Sequence, residues 1–224
     1  MDPKVTEKQR RRAQAPELRT AKTPFYRFVQ PLLRAWFRTV HGFRVEGLDN
    51  LPETGGVMLV ANHQSYLDIP LISASTRRHV CFVARETLVR SRFIAFLIRQ
   101  SGGILVRRGV PDRAALREMI RHLESGDCVT VFAEGTRTRD GSLGEFRRGP
   151  FKVARQAGVP VVPCGIRGAY RALPRGSRWP RRGRIALRYA PPLDSADPDV
   201  LDRTRTAIAA MIGAGDFDSV PPAD

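Results

Sequence analysis

Short continuous apolar runs alternate with amphipathic stretches along this chain. Val57–Ala61 (VMLVA), Val80–Ala84 (VCFVA), Ile104–Val106, Val129–Ala133 (VTVFA) and Val159–Ile166 (VPVVPCGI) are brief and rich in β-branched residues. Each reads as a strand buried on both faces. Phe43–Glu46 alternates and reads as a first strand. Ile185, Leu187 and Tyr189 alternate with Ala186 and Arg188, the pattern of an edge or half-buried strand. Helical stretches lie between. One contains Ile69–Ser75. Another runs over Asp112–Ser125, with Leu116, Met119, Ile120 and Leu123 on one face and Gly126 as its stop. Pro150–Ala157 and about Asp199–Ile212 complete the set. Leu88, Phe93, Ile94, Phe96, Leu97 and Ile98 form an unusually apolar helical segment. Core packing and a surface that meets acyl chains are its two readings.

Strand and helix repeat with short connections. That pattern predicts an α/β fold: a mostly parallel central sheet flanked by helices, with an N-terminal amphipathic helix ahead of it. The divisions are a disordered basic arm over 1–23, the amphipathic, membrane-associating helix over 24–42, the α/β domain over 43–212 and a frayed tail over 213–224. In the helix, Phe25, Val29, Leu32, Trp36 and Val40 share one face, and Arg27, Arg34 and Arg38 lie opposite. Pro31 predicts a kink. Packing on the core and lying in a membrane interface are the competing fates of the apolar face.

Charge changes the picture more than size does. The 224 residues suffice for one good core, but 38 Lys+Arg against 22 Asp+Glu leave a formal charge of +16. Such a balance points to polyanionic company: an anionic membrane, phosphorylated substrates or nucleic acid. The arginines punctuate every segment, so no single tail is the source. Arg171 to Arg184 is a basic, Pro/Gly-rich loop. Cys81, Cys128 and Cys164 lie in apolar runs without zinc spacing, which suggests reduced core thiols and a cytosolic compartment. No stretch approaches the ~20 apolar residues of a spanning helix. The expectation is a chain that is soluble or lies on a membrane.

The candidate chemistry gathers where strands end. Asn62–Asp68 (NHQSYLD) places His63 just after a strand and Asp68 in the first turn of the next helix, with Ser65 as its expected N-cap. A carboxylate on one imidazole nitrogen leaves the other to take a proton from a hydroxyl. The plain alternative is that both residues only serve the helix end. Arg85, Arg107-Arg108 and Glu134-Gly135-Thr136-Arg137 also follow strands directly. In parallel sheets, that edge is where ligands bind. Guanidinium forks match phosphate oxygens, and Gly135 lets backbone approach a ligand closely. A Ser65–His63–Asp68 triad is the weaker reading, because no G-x-S-x-G elbow occurs. An oxyanion is expected to find donors among the amides at the helix start.

These residues resemble a known family. NHQSYLD looks like the N-H-x-x-x-x-D block of the PlsC-type glycerolipid acyltransferases, typified by 1-acylglycerol-3-phosphate acyltransferase. Gly103–Arg108 (GILVRR) resembles the G-x-I-x-x-R block, Phe132–Arg137 (FAEGTR) the F-P-E-G-T-R block, and Val159–Pro163 (VPVVP) the V-P-I-x-P strand. The order and spacing match over about Pro24 to Pro192. The resemblance implies acyl transfer from a thioester to the free hydroxyl of lysophosphatidic acid, giving phosphatidic acid. It implies His63 as general base and Asp68 as its orienting partner. Arg108, Glu134, Gly135, Thr136 and Arg137 become the acceptor-binding residues, joined by Arg85 from its own place just after a strand. It implies no metal, no cofactor beyond acyl-CoA or acyl-ACP (acyl carrier protein) as co-substrate, and no covalent intermediate. The implied partners are a lysophospholipid, the acyl donor and an anionic membrane surface, at the cytoplasmic face of the cell membrane, with no nucleic acid. Ala133 stands for the family's proline, Thr138 for serine, Arg107 for aspartate and Arg85 for lysine. These departures bear on the acceptor more than on the reaction. Another lysolipid is the alternative acceptor, and a non-catalytic basic module that binds membrane or nucleic acid is the alternative of another class.

Overall fold

The computed structural model describes residues 24–85, 103–106, 113–177 and 179–213. The basic arm, the apolar segment around Leu88 to Ile98, Arg107-Arg108 and the tail from residue 214 lie outside the described residues. Helix α1 (Pro24–His41) comes first and strand β1 (Arg44–Glu46) follows. Then come β2 (Val57–Ala61), α2 (Asp68–Ser75), β3 (Val80–Arg85), β4 (Ile104–Val106) and α3 (Arg113–Glu124). The chain continues through β5 (Cys128–Phe132), α4 (Gly149–Ala157), β6 (Val161–Arg167), the short α5 (Ala169–Ala172), β7 (Ala186–Tyr189) and α6 (Val200–Gly213).

The seven strands form one sheet in the order β1-β7-β6-β2-β5-β3-β4. Every pairing is parallel except β6 with β7. The mostly parallel sheet expected from the run pattern is therefore present. β2 at its centre is buried at all five positions. Val57, Leu59 and Ala61 join the cluster with Leu71 and Ile72 of α2 and Phe37 of α1. Met58 and Val60 join the opposite one, with Met119 and Leu123 of α3, Phe151 of α4 and Ile208 of α6. Helices thus cover both faces. Burying one such side chain fully contributes about 1.5–3 kcal/mol, which is why strands of this kind carry no polar alternation.

Two sequence expectations change. Strand β7 is not an edge: it lies between β1 and β6, antiparallel to the latter. Its alternation survives because Arg188 finds Glu46 on β1, with Nε to Oε2 at 2.6 Å. The second concerns α1, which Pro31 interrupts without ending. The expected apolar face divides between its two fates, with Val29 and Val40 half-buried and Leu32 and Trp36 exposed, beside an exposed Phe28. Phe28, Leu32 and Trp36 are 70%, 56% and 38% exposed, whereas Phe37 is 1% exposed. The packed side carries Gln30 and Arg34. Gln30 donates to the Ser73 carbonyl at 2.6 Å and also to that of Thr76, and Arg34 Nε donates to the Ala74 carbonyl at 2.7 Å. These satisfy the carbonyls that the end of α2 leaves without helical partners. Among the described residues, no helix is long and apolar enough to cross a membrane.

Register aligns the strand ends. Ala61 sits opposite both Phe132 and Cys164, and Arg85 opposite Val106. Strands β2, β5, β3 and β4 therefore end along one edge.

Candidate active site

The segment leaving β2 is fixed residue by residue. Asn62 bonds the Ile166 backbone twice, Nδ2 to the carbonyl at 2.9 Å and Oδ1 from the amide at 2.7 Å. A side-chain amide presents the same donor and acceptor as a strand neighbour, so it extends the β2–β6 pairing by one position.

His63 follows, and the loop after β5 grips its backbone from both sides. Its amide donates to Glu134 Oε1 at 2.9 Å, and its carbonyl accepts from the Thr138 amide at 2.8 Å. The ring stacks on Phe132, centroids 4.0 Å apart and planes 13° apart. Nδ1 lies 2.8 Å from Asp68 Oδ2. That bond places the proton on Nδ1 and the lone pair on Nε2. Nε2 has no hydrogen-bond partner among the described residues, and the side chain keeps 19% of its surface exposed.

Asp68 is fully buried. Its Oδ2 also accepts the amides of Gln64 at 2.7 Å and Ser65 at 2.9 Å. Burial pushes its carboxyl above the usual carboxylate range, and the His63 bond and charge and the two amides pull it back. Ser65 Oγ accepts the Leu67 amide at 3.2 Å and donates to the Leu173 carbonyl at 2.9 Å. Ser65 is therefore not the expected N-cap: the helix begins at Asp68 with Leu67 as its N-cap and no side-chain cap bond, and the Ser65 hydroxyl closes the turn that precedes it. This bonding also leaves Ser65 turned away from His63, so no triad forms. The oxyanion expectation changes with it. The amides of Gln64 and Ser65 point at Asp68, and that of Leu67 at Ser65, so they are engaged within the turn.

Glu134 serves the same turn from the other side. Its Oε2 accepts the Gly144 amide at 3.1 Å while Oε1 holds His63. Burial raises its carboxyl above its ordinary value, and the amides of His63 and Gly144 oppose that. As placed, this carboxylate acts on the site through backbone. Gly135 adopts φ +68°, and a Cβ there would meet Arg147 Nε at 2.7 Å. The Arg147 side chain thus lies over it, a neighbour that no motif announced. Arg137 places its Cζ 3.5 Å from the centroid of the Tyr66 ring, an exposed cation–π stack across the mouth of the site. Thr136 is exposed beside it. Arg85 ends β3 on the same edge, and Arg108 lies outside the described residues.

His63, Asp68, Glu134, Gly135, Thr136 and Arg137 are therefore brought to one end of the sheet. Sequence reasoning missed Tyr66, Arg147 and a second H-x-x-x-x-D, His122 to Asp127. The last pair has Nδ1 to Oδ2 at 2.8 Å, the same atoms and spacing as His63 and Asp68. It stands at the opposite end, just before β5.

The arrangement matches known proteins. A family model described as Acyltransferase matches residues 42–167, more than half of the chain. The chloroplastic 1-acyl-sn-glycerol-3-phosphate acyltransferase of Arabidopsis thaliana is 32% identical over 170 residues, covering 74% of this chain and 48% of that protein. The 1-acyl-sn-glycerol-3-phosphate acyltransferase of Bacillus subtilis is 24% identical over 173 residues, covering 77% of this chain and 84% of its own length. The chain spans about half the length of the plant relatives that it matches. The crystal structure of the 1-acyl-sn-glycerophosphate acyltransferase PlsC from Thermotoga maritima superposes with a TM-score of 0.72 at 28% identity, over 93% of this chain and 85% of that one. The helix-flanked sheet, the strand-end blocks and these likenesses agree, and the chain belongs to the acyltransferase family, in its PlsC-type branch.

Proposed function

We propose that this chain transfers a fatty acyl group from an acyl thioester to the free hydroxyl of lysophosphatidic acid, giving phosphatidic acid. The observation that carries the reading is the state of His63. Its backbone, ring face and Nδ1 are all held, and Nε2 is left to accept a proton. Nε2 takes the acceptor's hydroxyl proton as the oxygen attacks the thioester carbonyl carbon. The new C–O bond forms, the C–S bond breaks, and the imidazolium returns its proton to the departing thiolate. Buried Asp68 favours the imidazolium that appears midway. Arg137, with Arg85 and Arg108 from neighbouring strand ends, supplies cations for the acceptor's phosphate. Glu134 positions His63 and Gly135 gives the loop its turn.

The same reading places the enzyme at the cytoplasmic face of a membrane, without crossing it. Phe28, Leu32 and Trp36 project from α1 on one exposed arc flanked by Arg27 and Arg38. Such a face suits a headgroup layer with anionic lipid. The test is product analysis by mass spectrometry after incubating the protein with a panel of lysolipids and, in separate reactions, a long-chain acyl-CoA and a long-chain acyl carrier protein thioester. Phosphatidic acid as the main product, lost in His63→Ala, is the expected result. A wild-type protein that acylates no lysolipid, or a His63→Ala variant of near-normal activity, defeats the proposal.

A further inference from the structure

The basic loop singled out in the sequence has no part in the chemistry described so far. In the fold it forms one wall of an open cleft of about 720 Å³ beside the site. Gln64, next to His63, lines it, as do Asp140, Arg167, Arg171, Arg182 and Arg184. Its walls are tied in place. The Arg181 amide bonds the Ala172 carbonyl at 2.7 Å, joining the loop to α5. His41 Nδ1, at the end of α1, bonds the Gly183 carbonyl at 3.2 Å. Gln64 Oε1 accepts the Tyr170 amide at 3.3 Å, joining the cavity to the turn that bears the histidine. Arg167 sits opposite Ala186 in the β6–β7 pairing, which places Arg167 and Arg184 both at the root of the loop, lining the same cavity.

Four guanidinium groups face one carboxylate there, and that carboxylate is engaged by its own loop. Asp140 Oδ1 accepts from Thr138 Oγ1, the Ser142 amide and Ser142 Oγ. The volume lies within the ~300–1,000 Å³ range of small-molecule sites. A lined cavity of this kind selects a compact polyanion rather than the convex face of an acidic protein. Resting on the function proposed above, two phosphorylated substrates are available. The acceptor bears one phosphate and already has the Arg137 side of the site. A coenzyme A thioester bears several phosphates at the end remote from its sulfur, and guanidinium forks bind phosphates through paired charge-assisted bonds. We propose that this cavity holds the phosphate-bearing nucleotide end of a coenzyme A thioester, with the acyl end reaching past Gln64 to His63.

The test uses the full chain and two double variants of equal charge change. R171S/R182S alters exposed cavity arginines, and R155S/R205S alters exposed arginines of α4 and α6 outside it. Calorimetry with desulfo-coenzyme A reads binding without turnover. Kinetics with a long-chain acyl-CoA and lysophosphatidic acid read each KM. The expected result is a Kd for desulfo-coenzyme A and a donor KM raised about 10–100-fold in R171S/R182S, at roughly tenfold per lost charge-assisted contact. The acceptor KM stays within about twofold, and R155S/R205S behaves as wild type. An unchanged Kd, an equal loss in the control pair, or a rise confined to the acceptor KM overturns the assignment. So does a wild type that transfers from acyl carrier protein but does not bind desulfo-coenzyme A, which leaves the proposed function standing. Selective loss of desulfo-coenzyme A binding in a protein that acylates no lysolipid does the reverse: the cavity assignment stands and the function falls.

Discussion

This molecule contains the same constellation twice. His63–Asp68 and His122–Asp127 share spacing, atoms and a 2.8 Å contact. They differ in what occupies the second nitrogen and in which end of the sheet they face. His63 presents Nε2 at the edge where strands end, with its ring face on Phe132. His122 Nε2 lies 3.5 Å from Glu118 Oε1, and Cys81 Sγ lies 4.0 Å from Nδ1. The Asp127 bond, and the Cys81 contact after it, push the His122 imidazole up to about 10. It is a standing cation that clips the end of α3 to the start of β5. A histidine with carboxylates at both nitrogens is a poor proton acceptor near neutrality, and one with a carboxylate at a single nitrogen is a good one. The shared spacing therefore does not tell the two pairs apart; what tells them apart is the second ring nitrogen, engaged at His122 and without a partner among the described residues at His63.

The largest expected effect separates the two pairs outright. His63→Ala is expected to lower kcat for acyl transfer by about 10³-fold with little change in thermal stability, since it removes a general base. His122→Ala is expected to leave kcat within a few-fold and to cost about 1–3 kcal/mol of stability, because two carboxylates lose their cation. Activity assays and thermal melts on both variants check this, and an activity loss of equal size in His122→Ala breaks the comparison. Next comes Asp68→Asn, expected to lower kcat by about 10²-fold, while Asp127→Asn lowers Tm without touching turnover. Glu134→Gln is expected to lower kcat by about tenfold. Its amide replaces one acceptor oxygen with a donor, so one of the two backbone bonds at His63 and Gly144 is lost at a cost of about 1–2 kcal/mol.

The pH dependence sharpens the contrast further. The His122 value is raised in the fold, so its stabilisation is fully present below the ordinary 6.5 and disappears as pH climbs through about 10. The Tm difference between wild type and His122→Gln is expected to shrink over that interval in thermal melts. A difference that grows instead contradicts the imidazolium assignment. The smallest effect is at the mouth: Tyr66→Leu removes the exposed Arg137 stack and is expected to raise the acceptor KM by about two- to fivefold, in line with ~0.5–1 kcal/mol.

Much of the fold was legible because buried parallel strands leave unbroken apolar runs. VMLVA reads as a buried strand because all five residues are apolar, and all five are buried in the sheet. The site was legible where chemistry follows a strand directly, as at His63 and Glu134. Three features left no such trace. Helix α1 turns Gln30 and Arg34 toward the end of α2, where they bond its carbonyls, and periodicity counts apolar residues without seeing such bonds. Strand β7 alternates like an edge, because its outward arginine is met by Glu46 across β1. The bonds from Glu134 to the backbone amides of His63 and Gly144 are of a kind that no sequence displays.

The attachment of α1 to α2 has a mechanical consequence. Helix α2 has eight residues, about 12 Å at 1.5 Å each. One tip is clasped by Gln30 and Arg34, and the other bears Asp68. No hinge or tether separates the outward aromatic face of α1 from the reacting imidazole. Whatever plane that face rests on, the height of the reaction centre above it is set by the length of a rigid spacer. Under the proposed function, a lysolipid at that plane rises by a fixed distance to be acylated.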